Sequence, residues 1–188
     1  MNEVLETIMQ RASCRDYSGQ APSEADIEVI AQAALQSPSA RNIKPYQIIM
    51  VKEKELIDEL DEEGIKMLSQ LEQLAPLLES LQERGGKMFY NAPCMALLAV
   101  DESQASGYER MDCGIVAENI VLAATSMGLG STHCGMAQLP FKGPKGEELK
   151  KKFKVSEGYE VCLAVLFGYA NFIKEPHEPD ASKLTWVG

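Results

Sequence analysis

Ser37-Pro38-Ser39-Ala40-Arg41-Asn42-Ile43-Lys44-Pro45-Tyr46 is the stretch on which the reading of this chain turns. Its small residues make a turn that ends in asparagine, and such a main-chain shelf suits a flat heteroaromatic ring laid against backbone. Upstream, Arg11-Ala12-Ser13-Cys14-Arg15 places two guanidinium groups around a serine hydroxyl. Forked donors of this kind match a phosphate and the carbonyl oxygens of a ring edge. Together the two segments suggest a flavin mononucleotide (FMN) site.

The periodicity around these segments places them on loops. Val4, Leu5, Ile8 and Met9 have helical spacing over residues 3–10, so a short helix feeds the basic cluster. Ser23 with Asp26 three residues on resembles a capping box, and Ile27, Ile30, Ala31, Ala34 and Leu35 form one apolar stripe of a second helix. That helix runs into Ser37-Pro38-Ser39-Ala40, and residues 46–51 read as a strand, so the ring-binding candidate is a helix-to-strand loop.

Residues 52–84 change character. An acidic run is followed by Leu68, Leu71, Leu74, Leu78 and Leu81, which fits two amphipathic pieces with Pro76 at a break or a start. Residues 52–88 are expected to be a solvated helical excursion, with a substrate-shaping lid as the other reading. Residues 94–100 and 159–167 are apolar on both faces, as central strands are. A helix over about residues 110–127 is apolar around most of its circumference, which implies burial on more than one side; a second copy of the chain is one source of that cover. A short strand near residues 130–133 and a polar helix through Phe153 follow.

The 188 residues suffice for a single domain spanning 1–188 with a full core. An excess of 28 acidic over 18 basic residues gives a net charge of −10, which opposes broad contact with nucleic acid or anionic lipid, so a phosphate must be held locally. Five cysteines without a C-x-x-C pair read as free thiols, and no secretory or membrane-spanning pattern is evident; a cytoplasmic protein is expected. With only His133 and His177, no protein-built metal site is expected. His133 adjoins Cys134, but neighbours on a strand point apart, which argues against a nucleophilic dyad. Neither a dinucleotide fingerprint nor a P-loop is present.

The basic pair around serine, the Pro-Ser-Ala-Arg-Asn-Ile-Lys-Pro-Tyr loop, the Gly128-Leu129-Gly130-Ser131 turn, Phe167-Gly168-Tyr169 and the terminal Leu184-Thr185-Trp186-Val187 together resemble the FMN-dependent nitroreductase family, in the same order. The resemblance implies an α+β fold with a central mixed, mainly antiparallel sheet flanked by helices, in an intertwined homodimer with FMN at the interface. It further implies that Arg11, Ala12, Ser13 and Arg15 contact the phosphate and pyrimidine side of FMN. Pro38, Ser39 and Ala40 would line the ring from the other subunit, Asn42 would bond toward its polar edge, and the backbone of Cys134 and Gly135 would approach its centre. The implied activity passes electrons from NADH or NADPH through flavin to a small electron-poor aromatic acceptor, a nitroaromatic or quinone, with no side chain in a catalytic role. The alternative is an FMN-binding protein of the same fold with a specialised substrate or no turnover. Relatives often carry a phosphate-binding arginine where this chain has Pro179-Asp180-Ala181-Ser182-Lys183, so Lys183 would have to substitute for it against a repelling Asp180.

Overall fold

Four strands, Tyr46–Val51 (β1), Cys94–Val100 (β2), Gly130–Cys134 (β3) and Glu160–Gly168 (β4), form one sheet in the order β1-β2-β4-β3, each pair antiparallel. This is a computed structural model, and it describes residues 1–104, 106–172 and 174–188. A mixed, mainly antiparallel sheet is expected from the sequence. The strands pair antiparallel throughout, and the parallel component is a single bridge between Ser13 and Ser131 at the β3 edge.

The two central strands read as apolar on both faces because helices cover both. Cys94, Ala96, Leu98 and Val100 of β2 pack with Glu24–Leu35 (α2) and Glu109–Ser126 (α5), whereas Met95, Leu97 and Ala99 pack against Lys54–Ser69 (α3) and the segments after β3. Every residue of β2 is buried. α2 starts at the capping box, with the Ser23 hydroxyl accepting the Asp26 amide and the Asp26 carboxylate accepting the Ser23 amide. The acidic stretch forms α3 and Ala75–Gln82 (α4), with Pro76 in the first turn of α4, where its missing amide costs nothing. Its carboxylates mostly face solvent, but Ile57, Leu60 and Leu68 are buried, so this excursion is one covering layer of the sheet. Gly146–Lys152 (α6) completes that layer through Leu149.

Glu3–Gln10 (α1) and α5 are among the helices that leave apolar surface uncovered in the single chain. α1 buries none of its residues, and Val4, Leu5, Ile8 and Met9 are exposed. α5 buries Cys113, Val116, Ala117, Ile120, Val121 and Ala124 but leaves Met111 and Ile115 exposed. α5 is covered on more than one side within one chain, by the sheet and by α2, and the apolar face that carries Met111 and Ile115 is left over.

Candidate functional site

The segment after α1 is extended and lies beside β3. Arg11 caps α1, its amide bonded to the Thr7 carbonyl at 3.0 Å, and the Cys14 amide then donates to the Ser131 carbonyl at 2.9 Å. Tyr17 anchors the far end, donating its hydroxyl to the Leu166 carbonyl at 3.2 Å. Cys14 is buried, so alternation turns Ser13 and Arg15 to the opposite side. There they line a cavity of about 660 Å³ together with Asp16, Arg84, Gly85, Lys87, Tyr90, Asn91, Phe172 and Lys174. Arg11 and Ala12 point elsewhere. Arg11 lines a groove with Ile8, Met9 and residues 175–179, and Ala12 lines a smaller cavity with Cys14 and Gly128.

The opposite wall was missed in the sequence. Residues 84–91 are held by Asp61, a buried carboxylate on α3 that accepts the Met88 amide at 3.2 Å and the Phe89 amide at 2.8 Å. Burial pushes the Asp61 carboxyl up, and those two amides act against the shift. Tyr90 and Asn91 follow at φ 53° and 61°, a conformation that L residues adopt at a cost. Lys87 reaches Asp58 at 3.3 Å, whereas Arg15, Arg84 and Lys174 pair with no carboxylate among the described residues. On a chain of net charge −10, Arg15, Arg84, Lys87 and Lys174 against the single carboxylate of Asp16 give the lining of this cavity a local excess of positive charge.

The other predicted element, residues 38–42, is a shelf at the start of α5. The Ala40 amide donates to Asp112 Oδ1 at 3.1 Å, Ser39 Oγ accepts the Lys44 amide at 2.8 Å, and Asn119 Nδ2 donates to Ser37 Oγ at 2.8 Å. Arg41, Asn42 and Lys44 all have positive φ, so backbone strain concentrates here as it does at Tyr90 and Asn91. Pro38 is exposed, and Ser39 and Ala40 are half-buried. The basic segment instead touches Ser131, beyond the far end of α5. Asp112 and Ser126 are separated by about 21 Å of helix. One chain does not bring the two elements together.

Cys134 ends β3 and Gly135 follows it, and neither lines the 660 Å³ cavity. They lie roughly 10 Å along the edge from the Ser13–Ser131 bridge, at strand rise. The Cys134 side chain is turned into the core at 3% exposure, and burial pushes its thiol up to about 11; only its main chain is available to a ligand. Gly135 is exposed, and a Cβ there would meet open space. His133 points the other way, its Nε2 3.7 Å from Glu118 Oε2, so no dyad forms with Cys134. No metal-holding cluster occurs among the described residues. Asp180 caps the short turn Ala181–Lys183 by accepting the Ser182 amide at 3.0 Å, and Lys183 is exposed near it at 3.9 Å.

The molecule is thus a helix-covered antiparallel sheet with a predominantly cationic cavity lined by strained loops at its edge. The sequence pattern of the nitroreductase family matches residues 8–169, and the chain belongs to that family. It is similar along its whole length to a nitroreductase with bound FMN from Desulfitobacterium hafniense, at 41% identity, TM-score 0.94 and 100% coverage of both chains. A nitroreductase with bound FMN from Bacteroides fragilis matches at 25% identity and TM-score 0.87, again over 100% of each. The NADPH-flavin oxidoreductase of Vibrio harveyi is 27% identical over 135 residues, 72% of this chain and 54% of that protein.

Proposed function

We propose that this chain is an FMN-dependent oxidoreductase of the nitroreductase family, working as a homodimer with FMN between subunits. The observation that carries the reading is the set of unpaired cations, Arg15, Arg84 and Lys174, around one cavity with the Ser13 hydroxyl. The residues present fit the cofactor: the cations and Ser13 suit its phosphate and ring oxygens, the volume is within the range of cofactor clefts, and the open face of Gly135 admits a ring against main chain. FMN, when bound, supplies a two-electron store between NADH or NADPH and an electron-poor acceptor of nitroaromatic or quinone type, which occupy the same place in turn.

The protein's own contributions are binding, charge and position. Arg15, which lines the cavity with no carboxylate partner among the described residues, would supply positive charge to a bound flavin and so favour its reduction without a side-chain acid or base. Pro38, Ser39, Ala40 and Asn42, held by Asp112 and Asn119, would supply the opposite surface from the partner copy, which would explain why the two elements stand apart in one chain. Asp180 is occupied by its own turn, which lessens its expected repulsion of a phosphate. Arg11 faces the groove under residues 175–179, which is consistent with a role at the ligand only once a partner has reordered that tail.

The test is the visible spectrum of the purified protein before and after anaerobic addition of NADH or NADPH. A flavin band that bleaches is expected. A bound flavin that neither nucleotide bleaches would favour the binding-protein alternative, and a colourless protein that takes up no added FMN would end both.

A further inference from the structure

Cys113 and Cys162 take no part in the cavity described above, and the way they meet is built into the sheet. In β4, Val161 pairs with Ala99 and Leu163 with the adjacent Leu98, so Cys162 is the extra residue of a β-bulge. Beyond the bulge, Val165 and Phe167 face α2 and α5, while Ala164 and Leu166 face the other layer. Unbroken alternation would turn Cys162 away from α5. The bulge reverses the phase, so that Cys162 and Leu163 both pack on the α5 side, where Cys113 is buried in the same cluster.

Cys162 Sγ lies 3.5 Å from the Leu98 carbonyl oxygen, and the two thiols are near enough for each to shift the titration of the other. Arg110, one turn before Cys113 on α5, adds positive charge near both sulfurs and is itself held by Glu102 at 2.8 and 2.5 Å. The pair is therefore unequal. Cys162 is half-buried, and the Cys113 thiol and Arg110 lower its pKa against the opposing effects of burial and Glu102, whereas Cys113 is fully buried and its pKa is raised. Burial raises the other three thiols, pushing Cys94 and Cys134 up to about 11. A half-buried thiol of lowered pKa beside an arginine, with a second thiol near it, is the setting of a reactive cysteine with its resolving partner.

We propose that Cys162 and Cys113 are an oxidisable dithiol whose oxidant is hydrogen peroxide. The Cys162 thiolate attacks one peroxide oxygen; the O–O bond breaks, a sulfenic acid forms on Cys162, and the departing oxygen leaves as water after taking a proton. Cys113 then loses its proton and attacks the sulfenic sulfur. The S–S bond forms, the S–O bond breaks, and a second water leaves, so that two thiols and one peroxide give one disulfide and two waters. The product would tie β4 to the first turns of α5, the same turns that hold the 38–42 shelf through Asp112. Nothing in this step depends on the FMN reading.

The test treats the full-length protein with hydrogen peroxide, alkylates remaining thiols in denaturant, and maps tryptic fragments without reductant. Fragment 111–142 linked to fragment 155–174 is expected, lighter by two hydrogens than the reduced pair and released by dithiothreitol, with fragmentation placing the bond at Cys113 rather than Cys134. In Cys113→Ser the oxidation should stop at a Cys162 sulfenic acid that dimedone captures. In Cys162→Ser, thiol loss at neutral pH should slow by about tenfold or more. Absence of the linked fragment from the parent protein overturns the proposal whatever the variants do. Thiol loss in folded Cys162→Ser as fast as in the parent overturns it as well.

Discussion

Asp61 and Arg15 act on the cavity in different ways, one by holding a wall and the other by holding charge. Asp61 is buried under α3 and satisfies the amides of Met88 and Phe89, so Asp61→Ala leaves two buried donors without an acceptor. Each stranded group costs about 1–3 kcal/mol, and a urea midpoint equal to that of the parent would refute this account of the wall. FMN retention should fall with it, because Lys87 directly precedes the two bonded residues and Tyr90 and Asn91 directly follow them. Arg15→Ala should leave folding intact, since the side chain is exposed and unpaired, while weakening FMN binding by roughly tenfold or more, the scale of one charge-assisted bond. Lys66→Ala is the matched control, a lysine paired only with Glu63 on the outer side of α3. Equal FMN affinity in the Arg15 and Lys66 variants, measured by fluorescence titration, would remove Arg15 from the site.

The covering layer of α3 is tied down by charge as well as by Ile57 and Leu60. Glu63 accepts from Lys66 at 2.7 Å and from Lys145, beside α6, at 2.9 Å, and these two ammonium groups hold its carboxyl below the usual glutamate value. A depressed folded-state pKa contributes stability above the unfolded value of about 4.3 that disappears as pH falls through the folded one. Glu63→Gln should therefore cost about 0.5–1 kcal/mol at neutral pH and almost nothing near pH 3; a gap of the same size at both would contradict the pairing. Elements of this kind were legible before the structure because their causes are local: the Ser23–Asp26 box starts α2, Pro76 starts α4, and the doubly apolar run at residues 94–100 is the central strand. The site was only half legible. Arg15 and Ser13 stand out as donors in the sequence, but residues 84–91 become a wall only through Asp61, a tertiary contact, and through positive φ at Tyr90 and Asn91, which no pattern encodes. The separation of Arg11 and Ala12 from Ser13 and Arg15 follows from alternation along an extended segment and from Arg11 serving as a helix cap.

At the scale of the whole molecule, the uncovered apolar surface is the feature that a single chain does not explain. Val4, Leu5, Ile8 and Met9 of α1, Met111 and Ile115 of α5, and the terminal Leu184, Trp186 and Val187 are all exposed, with Trp186 at 86% and Val187 at 97%. Monomers rarely leave so much apolar surface to water. The proposed dimer would cover it, and the same association would bring the 38–42 shelf of one copy to the Arg15 cavity of the other. Trp186 is the sole tryptophan, so its emission reports on that step directly. A dimer by light scattering is expected, with tryptophan emission at the short wavelength of a buried indole and a shift to the red on dilution below the dissociation constant. Deleting residues 184–188 should weaken association and, because the site would be shared, weaken FMN binding with it by at least about tenfold. A parent protein that stays monomeric at micromolar concentration while holding one FMN per chain would show that a single copy completes the cavity, and the shared-site account would fall.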